Sequence, residues 1–268
     1  MLIFTHIPKT AGSSFHASFK ENFRCLAPAR FHKYRVYENY VHNRIVNLPC
    51  NYLYGHLPYG VDRLVVNRKI RYITLLRNPL DRCLSSIRHF LSFVNKKDRG
   101  PEHILDAETE RFLARKPGPL KLLKYLCDRN INGNAMVKQL SPVPINRMVL
   151  YSAQTAKMVL FPPFLQMARP LDEQELHDAL EQAKQNLSRY SFIGFQDRFY
   201  ESIGFFGRIF SVDVLVPESR LKKTAPNIFP FDKTDRQQMQ LLNYMNRYDI
   251  KLYQYALEIT HGSFVPKV

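Results

Sequence analysis

The sequence predicts an α/β fold of three layers, with a short central parallel sheet flanked by helices. Two observations carry that prediction. Short apolar runs alternate with longer stretches of helical spacing, the pattern of parallel strands joined by crossover helices. The residues suited to gripping a ligand fall just after those runs, where open parallel sheets hold their ligands. With 268 residues, 45% hydrophobic content, 15 Tyr and 19 Phe, the chain can bury a substantial core, and we read residues 1–268 as a single domain.

The elements follow in order. Leu2–Thr5 is an apolar run that enters a turn. Residues 14–23 then place Phe15, Phe19 and Phe23 at helical spacing. Residues 51–54 form a second candidate strand, ending at Gly55 and His56. The clearest strand is "IRYITLL", residues 70–76, followed by a helix over Pro79–Val94 with proline in the first turn, where its missing N–H costs nothing. Residues 96–130 are basic and helical in pattern, broken at "KKDRGPEH" and "RKPGP". An amphipathic helix is expected over 171–190, a fourth strand over Phe192–Phe195, a helix over 197–210, and a helical stretch over 234–260 in two pieces.

Lys and Arg total 39 against 23 Asp and Glu, a net charge of +16. Such an excess points to an anionic partner without naming it. Cys25, Cys50, Cys83 and Cys127 form no C-x-x-C pair and no Cys/His group with zinc-ligand spacing, and are expected to be scattered reduced thiols. Lys9 and Gly12 interrupt the first apolar run, which argues against a signal peptide. No run of about 18 apolar residues is present to span a bilayer. The expectation is a soluble, cytoplasmic chain, which leaves an anchor upstream of this stretch open.

The stretch "FTHIPKTAGSSF" (residues 4–15) gathers a lysine, a threonine, a glycine and two serines in one turn. After a strand and before a helix, successive N–H groups of Pro8-Lys9-Thr10-Ala11-Gly12-Ser13-Ser14 can converge on an anion, with proline contributing none. Lys9 adds a full charge, and the hydroxyls of Thr10, Ser13 and Ser14 add donors. The usual nucleotide phosphate loop has its lysine after the second glycine. Here Lys9 precedes Gly12. Taken alone, the stretch reads equally well as a Gly-Ser turn with a surface lysine.

A second element follows the clearest strand. In "RNPLDRCLSS", Arg77 closes the strand and Ser85 stands eight residues later in the next helix. Strand-end arginine and helical serine can meet at a second anionic group, arginine bidentately. Together the two elements describe a binder of a ligand with two separated anionic groups.

"HIPKTAGSS" resembles the 5′-phosphosulfate loop of sulfotransferases that use 3′-phosphoadenosine-5′-phosphosulfate (PAPS), and "RNPLDRCLSS" resembles their 3′-phosphate motif. More of the chain is similar to the carbohydrate branch, the heparan sulfate 2-O- and 6-O-sulfotransferases. "YGHLPYGVDRL" resembles a Gly-His segment of the 2-O branch. "FIGFQDRFYESIGFF" resembles a late strand and helix, "SRLKKTAP" a basic loop that closes over the nucleotide, and "NRYDIKLYQYA" the final helix. The resemblance implies a P-loop-like fold, PAPS as sulfuryl donor with its 3′,5′-bisphosphate (PAP) as product, and no metal. It implies a hydroxyl-bearing acceptor of the glycan class. It places Lys222, Lys223 and Thr224 at the nucleotide, Lys9 at the leaving phosphate, and His56 as catalytic base.

Residue chemistry supports that last role. Neutral imidazole accepts a proton near pH 7, and Gly55 allows close approach of a substrate. His56 also reads as a plain turn histidine. His6 is expected to be structural. His89, one turn beyond Ser85, either lines the acceptor cleft or lies outside it. The basic residues Lys96, Lys97, Arg99, Arg111, Arg115, Lys116, Lys121 and Lys124 form either a solvated face or a track for an anionic acceptor. Two rival functions remain at this point: a nucleotide-dependent kinase or NTPase, and a non-catalytic polyanion binder. No nucleic-acid-binding signature is present in the sequence.

Overall fold

The structure is a computed structural model that describes residues 1–26, 48–57, 59–65, 69–94, 107–128, 133–141, 171–216 and 229–260. Lys96, Lys97, Arg99, Lys222, Lys223 and Thr224 lie outside the described residues.

Five parallel strands build the sheet: β1 (Leu2–Thr5), β2 (Cys25–Leu26), β3 (Tyr52–Gly55), β4 (Arg71–Leu76) and β5 (Phe192–Phe195). Their spatial order is β2-β3-β1-β4-β5. The expected four strands are present, with β2 in addition; two residues are too few to show a period in sequence. β1 is central, and the chain passes to β3 on one side and β4 on the other. That makes the carboxyl end of β1 a topological switch point.

Alternation along the strands feeds two cores. Ile3, Leu53, Tyr72 and Ile193 face one side, packed with residues of α5 (Ala135–Leu140), α6 (Glu173–Leu187) and α9 (Arg247–Ile259). Leu2, Phe4, Tyr52, Tyr54 and Ile73 face the other, against Phe15 and Phe19 and the Phe199, Phe205 and Phe206 of α7 (Phe199–Phe210). A third apolar cluster joins α2 (Pro79–Val94), α3 (Ala107–Ala114), α4 (Pro119–Asp128) and α8 (Arg236–Met245).

The helix expected over 14–23 is shorter: α1 spans Gly12–Ala17, and a single 3-10 turn follows at Lys20–Asn22. Ser18 donates its hydroxyl to the Phe15 carbonyl, and Phe19 leaves the helical backbone at φ −141°. Its ring then reaches Phe206 at 4.2 Å, so burial of one aromatic ends the helix. The break in the 234–260 stretch falls at Asn246, between α8 and α9. The amphipathic helix begins at a capping box, with Asp172 and Glu175 each accepting the other's backbone N–H. The sequence had not indicated α5.

Two helix N-termini cap each other. Asp249 of α9 accepts the N–H groups of Met136 (3.1 Å) and Val137 (2.8 Å) in α5. Asn134, just before α5, accepts those of Tyr248 (3.0 Å) and Asp249 (3.2 Å) through its side-chain oxygen. Each cap of this kind contributes about 0.5–2 kcal/mol. Arg82 of α2 completes the junction, its Nε 3.7 Å from the Asp249 carboxylate, both side chains fully buried. Burial pushes the Asp249 carboxyl pKa up, opposed by Arg82 and the two N–H donors. Burial lowers the nearby Lys138 ammonium to about 8, with Asp249 opposing.

Arg82→Met should therefore cost about 3–5 kcal/mol, because a buried carboxylate loses its guanidinium. Urea denaturation should show a lower midpoint at unchanged slope. A wild-type midpoint would mean that the backbone caps alone hold Asp249.

Candidate active site

The register brings three strand ends to one edge. Thr5 of β1 pairs with Gly55 of β3 and with Thr74 of β4. His6 and His56 are thus the next residues of adjacent strands, and β4 runs on to deliver Arg77. Thr5 itself is locked from both sides: Thr74 donates to its carbonyl (2.9 Å) and the Tyr190 hydroxyl donates to its Oγ1 (3.0 Å).

Beyond Thr5 the loop closes tightly. Lys9 (φ 70°) and Ala11 (φ 65°) both take the left-handed conformation, at roughly 1–2 kcal/mol each for a residue with a side chain. Alternation of this kind turns successive N–H groups toward one concavity that suits an anion. The Thr10 hydroxyl donates to the Ile7 carbonyl (2.7 Å). Its proton is committed inside the loop. Pro8, Thr10, Gly12 and Ser14 are buried, while Lys9, Ala11 and Ser13 are half-buried. The Tyr54 hydroxyl reaches Ser13 Oγ at 3.4 Å.

Arg77 meets this loop directly, donating from its guanidinium to the Lys9 carbonyl at 3.0 Å. The two sequence elements proposed to hold separate anionic groups therefore form one continuous basic edge. Ser85 and His89 lie one turn apart on α2, both half-buried.

His56 Nδ1 lies 2.7 Å from the His6 carbonyl oxygen. A carbonyl only accepts, so Nδ1 carries the proton. In the neutral ring Nε2 is then left as a proton acceptor. The His6 and His56 rings are 4.6 Å apart, and His6 also stacks on Tyr54 at 5.3 Å. His6 thus meets His56 twice, through its ring and through its backbone carbonyl. His16, which the sequence had not singled out, stacks on the other side of this cluster, 4.0 Å from Tyr54 and parallel to it. Burial, then Lys20, lowers its pKa to about 4, so it is neutral at pH 7. Its Nδ1 shares a 3.1 Å hydrogen bond with the Tyr52 hydroxyl.

Gln139 was also missed. Buried in α5, it donates from Nε2 to the carbonyls of His6 (3.0 Å) and Leu57 (3.2 Å). The only sequence signal for its helix is the spacing of Met136, Val137 and Leu140 after Asn134, too short to read as an amphipathic period.

Comparison with known proteins decides the family. A model described as "Sulfotransferase family" matches residues 1–256. The chain belongs to the sulfotransferase family. It is similar to heparan-sulfate 6-O-sulfotransferase 2 of Gallus gallus, 23% identical over 292 residues, which cover 97% of this chain and 66% of that protein. It is 23% identical over 293 residues to the Homo sapiens protein of the same name, with 97% and 44% covered. The chain thus spans just under two thirds of the first and under half of the second. Among its described residues no helix is long and apolar enough to cross a membrane, and no group of three or more His, Cys, Asp or Glu is placed to hold a metal.

The glycine of the loop has a packing reason of its own. A Cβ built on Gly12 would lie 2.1 Å from His6 Cδ2, and that ring is held by Phe4, Tyr54 and His56. Gly12→Ala should cost about 1–3 kcal/mol, the usual range for overpacking. In a double-mutant cycle with His6→Ala, most of that loss should disappear, a coupling that unfolding midpoints would report. Additive losses would place the clash elsewhere.

Proposed function

We propose that this sulfotransferase moves the sulfuryl group of PAPS to a hydroxyl of a carbohydrate acceptor by in-line displacement. The supporting observation is the pairing of His56 Nδ1 with the His6 carbonyl, which leaves Nε2 as a base on the edge that also carries Lys9 and Arg77. The names of the relatives support a glycan acceptor, and the family supports a sulfuryl donor.

The donor set fits PAPS: two cations tied to one loop, left-handed residues that aim N–H groups together, and serine hydroxyls at the helix entrance. In this reading Pro8 through Ser14 hold the 5′-phosphosulfate, Arg77 and Ser85 hold the 3′-phosphate, and Lys222, Lys223 and Thr224 close over the nucleotide. When bound, PAPS supplies a sulfuryl group joined to a phosphate that departs as an anion. Lys9 holds positive charge beside that phosphate, a contribution that grows as charge develops. His56 Nε2 takes the proton of the acceptor hydroxyl. His89 lines the acceptor cleft. Arg111, Arg115, Lys116, Lys121 and Lys124, all exposed on and after α3 and along α4, offer charge to an anionic acceptor.

A transfer assay with labelled PAPS across a panel of glycans and small hydroxyl compounds tests the reading, with adenosine triphosphate and Mg²⁺ as the competing donor. Label should pass from PAPS to a glycan. His56→Ala should leave PAP binding intact and lower turnover about 10²–10⁴-fold, the range for a general base. Near-normal turnover would move that role, with His89→Ala measured next. By calorimetry, wild type should prefer PAP over AMP, and Arg77→Ala should erase most of the preference. Equal binding of both nucleotides by wild type would sink the 3′-phosphate assignment.

A further inference from the structure

We propose that Gln139 is a positioning residue for His56. The inference rests on the reading of His56 as the base, and it adds a residue from a helix outside the strand-end motifs.

Gln139 touches the chain at three points around His56. Its side-chain amide has two N–H bonds, and they reach the His6 carbonyl at 3.0 Å and the Leu57 carbonyl at 3.2 Å. Its backbone carbonyl accepts the Tyr59 N–H at 3.2 Å. The first of these carbonyls is the one that receives His56 Nδ1–H. The second belongs to the residue directly after His56. One side chain therefore fixes both the acceptor that orients the imidazole and the backbone that carries it.

The amide is itself held. Gln139 is 4% exposed, which leaves the side chain little room to turn. Its helix is pinned at the other end, where the buried Asp249 accepts two of its N–H groups beside Arg82. Arg82 lies on the same helix as Ser85. Packed structure thus runs without a break from the strand-helix unit of Arg77 and Ser85, through Asp249 and α5, to the imidazole. A buried glutamine that merely satisfied two carbonyls would stabilise the fold without setting the tautomer of a neighbouring ring. The proposal is that it does both.

The test combines kinetics with nitrogen-15 NMR of histidine-labelled protein, which reads the His56 tautomer with no turnover needed. Gln139→Met keeps the volume and removes both donors; Gln139→Asn, with an amide one methylene too short, is read the same way if the methionine variant fails to fold. The wild-type neutral ring should be in the Nδ1–H form. In the folded variant it should become a mixture with the commoner Nε2–H form, kcat should fall about tenfold, and KM for PAPS should stay within about twofold. A folded variant that keeps the wild-type tautomer ratio and kcat overturns the proposal. So does a kcat loss matched by an equal rise in KM for PAPS with the tautomer unchanged. Failure of the underlying reading looks different: His56→Ala would then transfer sulfate at the wild-type rate, whatever the tautomer does in the Gln139 variants.

Discussion

The buried carboxylate of Asp249 is the constraint on which the far side of the site depends. It sits at the start of α9, yet two of the N–H groups it accepts belong to α5, more than a hundred residues earlier in the chain. Asn134 returns the favour from the other direction. Two helix ends that would each leave orphan donors satisfy one another, and a guanidinium from α2 offsets part of the cost of taking the charge out of water. Without that junction, α5 has six residues, far too few to be stable on its own. Its position, and so the position of everything bonded to it, is a tertiary property.

The strand-end edge is built differently. There the sheet register does the placing. His6, His56 and the β4 segment leading to Arg77 emerge from neighbouring strands whose pairing is fixed by alternating burial. The loop between them stores strain at Lys9 and Ala11, and the Arg77 bond to the Lys9 carbonyl helps to keep it. A strained loop held this way has a settled shape, so a ligand bound there would leave little ordering to be done.

What could be read in the sequence follows the same division. β1, β3, β4 and β5 were legible because each is a short apolar run bounded by polar or turn residues. The turn after β1 stood out because lysine, glycine and hydroxyls fall together between a strand and a helix, and its order already set it apart from the common nucleotide loop. The two pieces of the 234–260 stretch were legible from their spacing. β2 was not, since it exists only by pairing with β3. The early end of α1 was not, since Phe19 leaves the helix to meet Phe206 from a distant helix. Gln139 was invisible for a related reason: a lone amide carries no motif, and its role comes from where α5 is pinned. His16 could have been noticed, one position after Phe15 on a helix beside the loop, but nothing local marks its stack on Tyr54.

The shared strand register has an evolutionary side. His6 and His56 each follow, by one residue, a pair of Cα positions that face one another across β1 and β3. Adding or removing a residue within either strand would turn one imidazole to the opposite face of the sheet and break their alignment at once. Length variation in descendants of this chain should therefore be frozen along β1 and β3, up to the edge where His6 and His56 leave them.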